Sequence, residues 1–238
     1  MTERQRILVV DDEPGLVRAL GINLKALGYR VDTAASGEEA LLKAADQRPD
    51  AVILDLGLPG IDGIDVIRGL RGWTNIPIIV LSVREAEREK ISALDAGADD
   101  YVTKPFGMGE LLARLRAALR KKPDTGGDLP TIVTEDFTID LAVKRVTKAG
   151  QEVKLTPTEW GVVEILVRHQ GKLVSQTQLL KEVWGPQYGE ETNYLRVFIA
   201  QVRRKLEPQP ANPRYFITEP GMGYRFQTPE DASSAATT

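Results

Sequence analysis

Five strand-length apolar runs alternate with amphipathic stretches through the first half of this chain, and that rhythm limits its fold more than any other feature. The pattern predicts strands over 6–10, 30–34, 50–54, 76–81 and 100–103. Helices are predicted over 14–27, 36–46, 63–71, 85–96 and 107–121. Strands and helices in strict alternation imply an α/β doubly wound five-stranded parallel sheet with right-handed crossovers. The third run, Ala51-Val52-Ile53-Leu54, is apolar throughout, as a strand covered on both faces must be. Leu16, Leu20 and Leu24 recur at helical spacing, with Val17 and Leu27 widening the stripe. Ser36 followed by Glu39 reads as a capping box opening the second helix.

Three charged stretches follow apolar runs: Asp11-Asp12, Asp55 and Lys104. In an open parallel sheet the carboxyl ends of the strands form the ligand crevice. The chain therefore gathers three carboxylates and an ammonium at one edge. Carboxylates that close repel unless a cation joins them, and a hard divalent ion, Mg²⁺, suits such oxygen donors together with a phosphoryl group. Asp55 is then a carboxylate nucleophile toward phosphorus. A metal held by Asp12, Asp55 and a backbone carbonyl, with Asp11 acting through water, offsets charge on the transferring oxygens. Lys104 supplies a point charge for the same oxygens. Ser82 ends the fourth strand, so its hydroxyl falls beside Asp55 and can bond the new phosphoryl oxygen, with Tyr101 following it inward. One acid after a strand would be a helix cap, as Asp12 or Glu13 before Pro14 could be. Four charged residues and a hydroxyl at matching strand ends argue for a site.

The pattern breaks at Lys121-Lys122-Pro123-Asp124, where turn formers replace periodicity. The reading is a first domain over 1–122, a linker over 123–129, a second domain over 130–228 and a disordered tail over 229–238. Short β-like pieces occupy 131–155. Thr156-Pro157-Thr158-Glu159 opens a helix with core face Val162, Val163, Leu166 and Val167. Ser175 opens a second helix, and Glu191 or Thr192 a third that runs to about Leu206. A hairpin with a Gly-rich turn follows between Arg214 and Phe226. Helices followed by a hairpin make an α+β winged helix-turn-helix domain.

The net charge of −3 argues against a nucleic-acid binder, but averages hide distribution. Between Thr192 and Leu206 stand four basic residues and no acidic one. On a helical wheel Leu195, Ile199, Val202 and Leu206 share the buried face. The opposite face presents Asn193, Val197, Ala200, Gln201 and Arg204, flanked by Arg196 and Arg203. Amide, guanidinium and small apolar groups suit base edges in a major groove. Tyr188, Thr192, Arg214, Thr218 and Arg225 are further candidates for phosphate contacts. The absence of cysteine excludes disulfides, thiolate metal sites and cysteine nucleophiles. No apolar run approaches a membrane span, and a cytoplasmic location is expected. His169, the single histidine, is read as a surface or core residue rather than a catalyst.

Val10-Asp11-Asp12-Glu13, the run from Leu54 to Gly63, Leu81-Ser82 and Val102-Thr103-Lys104-Pro105-Phe106 resemble the signature of bacterial receiver domains. With Asp95 to Tyr101 and the winged half, the chain resembles OmpR/PhoB-type response regulators from about Arg6 to Phe226. That resemblance implies a regulator that is not an enzyme. Asp55 is its phosphorylation site, Asp12 a direct Mg²⁺ ligand, the Gly57 carbonyl another, and Ser82 with Tyr101 a switch pair. It implies a cis Lys104-Pro105 bond and a sensor histidine kinase as phosphodonor. It also implies double-stranded promoter DNA as partner and a homodimer formed on phosphorylation, with RNA polymerase as a further expected partner. Lys90, Asp99, Asp100, Glu110, Arg114 and Arg120 would form intersubunit ion pairs. Glu110 and Arg114, four apart, could equally pair on one helix. Within the family, the motifs at 104–111, 156–160, 182–186, 192–197 and 218–226 resemble regulators of a high-affinity potassium-transport operon. Many family members carry a wing Arg that enters the minor groove; Pro220 stands there in this chain, so wing insertion of that type is not expected. The alternatives are a receiver joined to a protein-binding module and an aspartyl-phosphate phosphatase. Salt-dependent duplex binding separates the first, and catalytic phosphate turnover the second.

Overall fold

The computed structural model describes residues 4–83, 87–120, 131–186, 188–189 and 191–229. Contacts divide the chain into two compact units, Met1–Arg120 and Lys121–Thr238. The predicted linker 123–129 and residues 230–238 of the predicted tail lie outside the described residues.

The first unit runs β1 (Arg6–Val10), α1 (Pro14–Ala26), β2 (Arg30–Ala34), α2 (Gly37–Gln47), β3 (Ala51–Asp55), α3 (Gly63–Arg71), β4 (Ile78–Ser82), α4 (Glu87–Ala96), β5 (Asp100–Thr103) and α5 (Met108–Ala118). Its strands form one parallel sheet in the order β2-β1-β3-β4-β5. The order reverses between β1 and β3, which is where such a sheet opens a crevice at its carboxyl edge. Side chains alternate across a strand, so each strand serves two layers. Ile7, Val9, Ile53, Ile79, Leu81 and Val102 pack with Leu20 and Leu24 of α1 and Leu111 and Leu115 of α5. The intervening Leu8, Val10, Val52, Leu54, Ile78 and Val80 are equally buried.

Two local expectations are corrected. Leu27 does not widen the α1 stripe: it is the C-cap residue, past the last helical turn, and 54% exposed. Ser36 does accept from the Glu39 N–H at 3.3 Å, but the Glu39 carboxylate reaches back to the Ala35 N–H at 2.8 Å rather than to that of Ser36. Beyond β3, Gly63 opens α3 where a Cβ would meet the Leu56 Cα at 2.6 Å. Only glycine lets α3 begin that close to the strand it follows.

The second unit opens with an antiparallel sheet, β6 (Thr131–Val133), β7 (Phe137–Asp140), β8 (Arg145–Lys148) and β9 (Gln151–Glu152). Then come α6 (Pro157–Arg168), β10 (Leu173–Ser175), α7 (Gln176–Val183), α8 (Thr192–Leu206), β11 (Phe216–Glu219) and β12 (Gly223–Phe226). Thr156 and Glu159 form a complete capping box on α6. Sequence reading missed β10, whose three residues are too few to show alternation. It pairs with β12, making a three-stranded sheet of the order β10-β12-β11. Gly223 sits where a Cβ would collide with the Val174 carbonyl oxygen, so the wing can lie on β10 only with glycine there.

Candidate functional site

Asp11 follows β1, Asp55 ends β3 and Lys104 follows β5, so the topology brings all three to the crevice. The Lys104 Nζ lies 2.7 Å from Asp11 Oδ2 and 2.8 Å from Asp55 Oδ1. The other oxygens are engaged too: the Glu13 N–H donates to Asp11 Oδ1 at 2.9 Å and the Gly57 N–H to Asp55 Oδ2 at 2.5 Å. The chain's own ammonium thus offsets part of the repulsion between these two carboxylates. Burial pulls that ammonium down, but hydrogen bonds to Asp11 and then Asp55 hold it above its ordinary value.

Asp11 is 2% and Asp55 6% exposed, whereas Asp12 and Gly57 face outward. Among the described residues no three acidic or histidine side chains stand close enough to hold a metal ion as they are. The donor set still fits Mg²⁺: Asp11 and Asp55 present hard oxygens with lone pairs to spare beside an outward carboxylate at Asp12. Ser82 ends β4 and is buried. The register sets Leu81 beside Asp55, so Ser82 lies one residue beyond it. Tyr101 is already inside, 2% exposed, with Lys90 Nζ 5.7 Å from its ring centroid. Lys104-Pro105 is cis.

The six residues assigned to a dimer face separate. The Asp99 carboxylate takes the Arg71 guanidinium of α3 at 2.7 Å and the Ile78 N–H at 2.9 Å, because it immediately precedes β5 at the sheet edge opposite the crevice. Arg71 itself was missed by sequence reading; it also donates to the Gly97 and Ile76 carbonyls. Asp100 is buried and takes both oxygens to Arg114 Nη1, at 3.1 and 3.2 Å. Arg114 also meets Glu110 at 2.7 Å, so the alternative of a pair on one helix describes this structure. Burial pushes the Asp100 carboxyl up to about 7, against the pull of Arg114. Lys90 is half-buried and Arg120 exposed.

In the second unit the wheel is right about Leu195, Ile199, Val202 and Leu206, all buried. Asn193, Arg196, Ala200 and Arg204 are exposed and Thr192 and Val197 partly so, forming one stripe along α8. Gln201 is corrected: it is 5% exposed, lying beside Val202 on the inner face. Tyr188 is also inside, its ring against Trp184 and Tyr194. Arg203 is turned onto the wing. Its Nε donates to the Phe216 carbonyl at 2.8 Å and its Nη2 to that same carbonyl and to Thr218 Oγ1, the latter at 2.7 Å. Burial draws the Arg203 guanidinium below its ordinary value, with Glu207 and Tyr224 pulling the other way. Arg214 is held by Glu135 at 2.9 Å and Asp136 at 3.5 Å. Arg225 is held by Glu219 at 3.1 Å and the Gly171 carbonyl at 2.8 Å. Pro220 is exposed at the wing tip beside Met222.

Glu207 was also missed. Just past α8 and 2% exposed, it accepts from the backbone N–H groups of Arg214, Tyr215 and Phe216 at 2.8–2.9 Å. Lys148 of β8 caps the same helix end, donating to the carbonyls of Lys205, Leu206 and Glu207 at 3.3, 2.9 and 3.0 Å. An acid at a helix C-terminus opposes the helix dipole, and that oddity is the sequence signal that could have found it.

A buried aspartate pair bridged by lysine at a parallel-sheet switch point, in a chain that continues into a winged-helix unit, defines a class. The chain belongs to the OmpR/PhoB-type response regulators, two-component transcriptional regulators. Residues 7–116 match the response regulator receiver domain, and 150–226 the transcriptional regulatory protein C-terminal domain. It is similar to the transcriptional regulatory protein KdpE of Mycobacterium tuberculosis, 60% identical over 222 residues that cover 93% of this chain and 98% of the relative. It is similar also to the KDP operon transcriptional regulatory protein KdpE of Escherichia coli, 50% identical over 92% of this chain and 98% of that one. Among solved structures, a mutant of RitR matches at 27% identity and TM-score 0.75, covering 94% of this chain and 99% of the other. These homologues are regulators rather than enzymes, although receivers carry phosphorylation chemistry and generally use Mg²⁺ for it. No helix among the described residues is long and apolar enough to cross a membrane.

Proposed function

We propose that Asp55 is the phosphoacceptor of a switch that controls DNA binding by the winged helix. The observation carrying this reading is the Lys104 ammonium within 2.8 Å of both buried carboxylates. An Asp55 oxygen attacks phosphorus, the bond to the donor's leaving group breaks, and an acyl phosphate remains on Asp55. Lys104, already charged, moves from the two carboxylates to the incoming phosphoryl oxygens. Asp11, Asp12, Asp55 and the Gly57 carbonyl would hold Mg²⁺, which offsets negative charge on the transferring group. Ser82 receives a phosphoryl oxygen, and the buried Tyr101 ring passes the change to α4 through Lys90.

The phosphodonor is a KdpD-like sensor histidine kinase, and the regulated target is an operon for high-affinity potassium transport, the likeness to KdpE supporting both. Phosphorylation drives homodimerisation through α4, β5 and α5, using Lys90, Asp99, Asp100, Glu110, Arg114 and Arg120. Asn193, Arg196, Val197, Ala200 and Arg204 then read promoter DNA in the cytoplasm, beside RNA polymerase. Asp55→Asn tests the core of this. It is expected to abolish labelling by acetyl phosphate, and unchanged labelling stoichiometry would refute the assignment. Duplex affinity should also fall with log salt, since phosphate contacts release counterions.

A further inference from the structure

The arginine count of α8 overstates its cationic surface. Arg203 and Arg204 are neighbours in sequence but not in use: Arg204 is exposed, whereas the Arg203 guanidinium is half-buried over the wing. Two of its nitrogens, Nε and Nη2, converge on the Phe216 carbonyl, and Nη2 also reaches Thr218 Oγ1 at 2.7 Å. One turn further along the same face, the Glu207 carboxylate takes the N–H groups of Arg214, Tyr215 and Phe216. Phe216 is therefore gripped from both sides of its peptide, its N–H by Glu207 and its carbonyl by Arg203. β11 begins at Phe216, and β12 hangs on β11 through the pairs Phe216 with Phe226 and Thr218 with Tyr224. The wing tip is fixed in turn where the Gln176 N–H donates to the Met222 carbonyl at 3.3 Å. A reader built of helix and wing engages DNA with both parts only if their angle is set beforehand, because ordering a loose wing on binding costs affinity.

We propose that Arg203 is a positioning residue, which with Glu207 clamps the wing to the reading helix, and that its guanidinium makes no phosphate contact. The proposal rests on the DNA-binding reading above. The geometry separates it from a phosphate role: a guanidinium's planar fork can hold one carbonyl through two nitrogens, and a lysine ammonium at a single point cannot reproduce that. A phosphate contact, by contrast, tolerates lysine.

The test uses the full-length protein and a labelled duplex that the unaltered protein itself recovers from a random-sequence library. Affinity is followed over a salt series, with hydroxyl-radical protection of the duplex beside it. Arg203→Lys is expected to bind about tenfold more weakly with the salt slope unchanged. Protection at the wing flank should be lost while protection under the reading helix persists. Thr218→Val, at an exposed position, is expected to lose about two- to threefold in the same manner. Equal affinity of Arg203→Lys and the unaltered protein overturns the proposal, as does an Arg203→Ala salt slope lower by about one. If Arg203→Lys proves unfolded by circular dichroism, Thr218→Val decides, and unchanged affinity there overturns the clamp. An unaltered protein that retains no duplex sinks the DNA-binding reading itself, and this inference with it.

Discussion

The crevice of the first unit and α8 of the second were both read from charged residues, yet the structure treats them differently. In the crevice, Asp11, Asp55 and Lys104 meet within 2.8 Å as the strand ends require. On α8 and its wing, Arg203, Arg214 and Arg225 are each held by a partner within the unit. A charge at the carboxyl end of a central parallel strand has one place to go. A long cationic chain on a surface can reach water, DNA or its own fold, and the acceptors that packing brings within reach decide among them.

The sharpest way to break this contrast is Glu207→Ala. If the wing hangs on that carboxylate, three backbone N–H groups lose their acceptor at once. The second unit should lose about 3 kcal/mol or more, at about 1–3 kcal/mol for each buried donor left unmet. Denaturant unfolding of the full chain, followed by the fluorescence of Trp160 and Trp184, measures this; a midpoint shift no larger than a surface mutant's would show the wing held by other means.

A buried charge pair in the first unit comes next. The Asp100 carboxyl titrates at about 7 in the folded chain against 3.8 ordinarily, so the native state keeps a proton that the unfolded chain releases between those values. Its contribution to stability is complete below the ordinary value and is lost as pH rises through about 7. Asp100→Asn removes the titration and should flatten the stability profile over that interval, by up to about 1.4 kcal/mol per pH unit. Trp73 reports this unit; a profile of unchanged slope in the variant would assign the dependence elsewhere.

The smallest expected effect is at Arg214. Its pairs with Glu135 and Asp136 are exposed, and such pairs contribute less than about 1 kcal/mol. Arg214→Ala should leave the unfolding midpoint nearly unchanged and the salt slope of duplex binding intact. A slope lower by about one would return Arg214 to the phosphate contacts and blunt the contrast.

Much of the architecture was open to sequence reasoning because it follows from period and punctuation. The apolar runs placed all five parallel strands to within two residues at either end, and Thr156 with Glu159 marked a capping box that forms as read. What escaped was whatever depended on a partner distant in sequence. Gln201 looked outward on a wheel, yet it is buried because a flat wheel does not say how wide the covered face of α8 is. Asp99 was assigned to an intersubunit ion pair, and its bond to Arg71, 28 residues earlier, was not foreseen. β10 carried no signal of its own, since only β12 makes it a strand.

The chain's own order of residues determined the alternating sheet, the carboxylates at its open edge and the apolar seam of α8, because each is a matter of local period and strand direction. Tertiary structure alone decided that Lys104 would bridge two of those carboxylates, that Arg203 and Glu207 would grip the wing and that Arg71 would close on Asp99. The physical reason is that hydrogen bonds and ion pairs form with whatever packing brings within reach, and local sequence does not encode that distance.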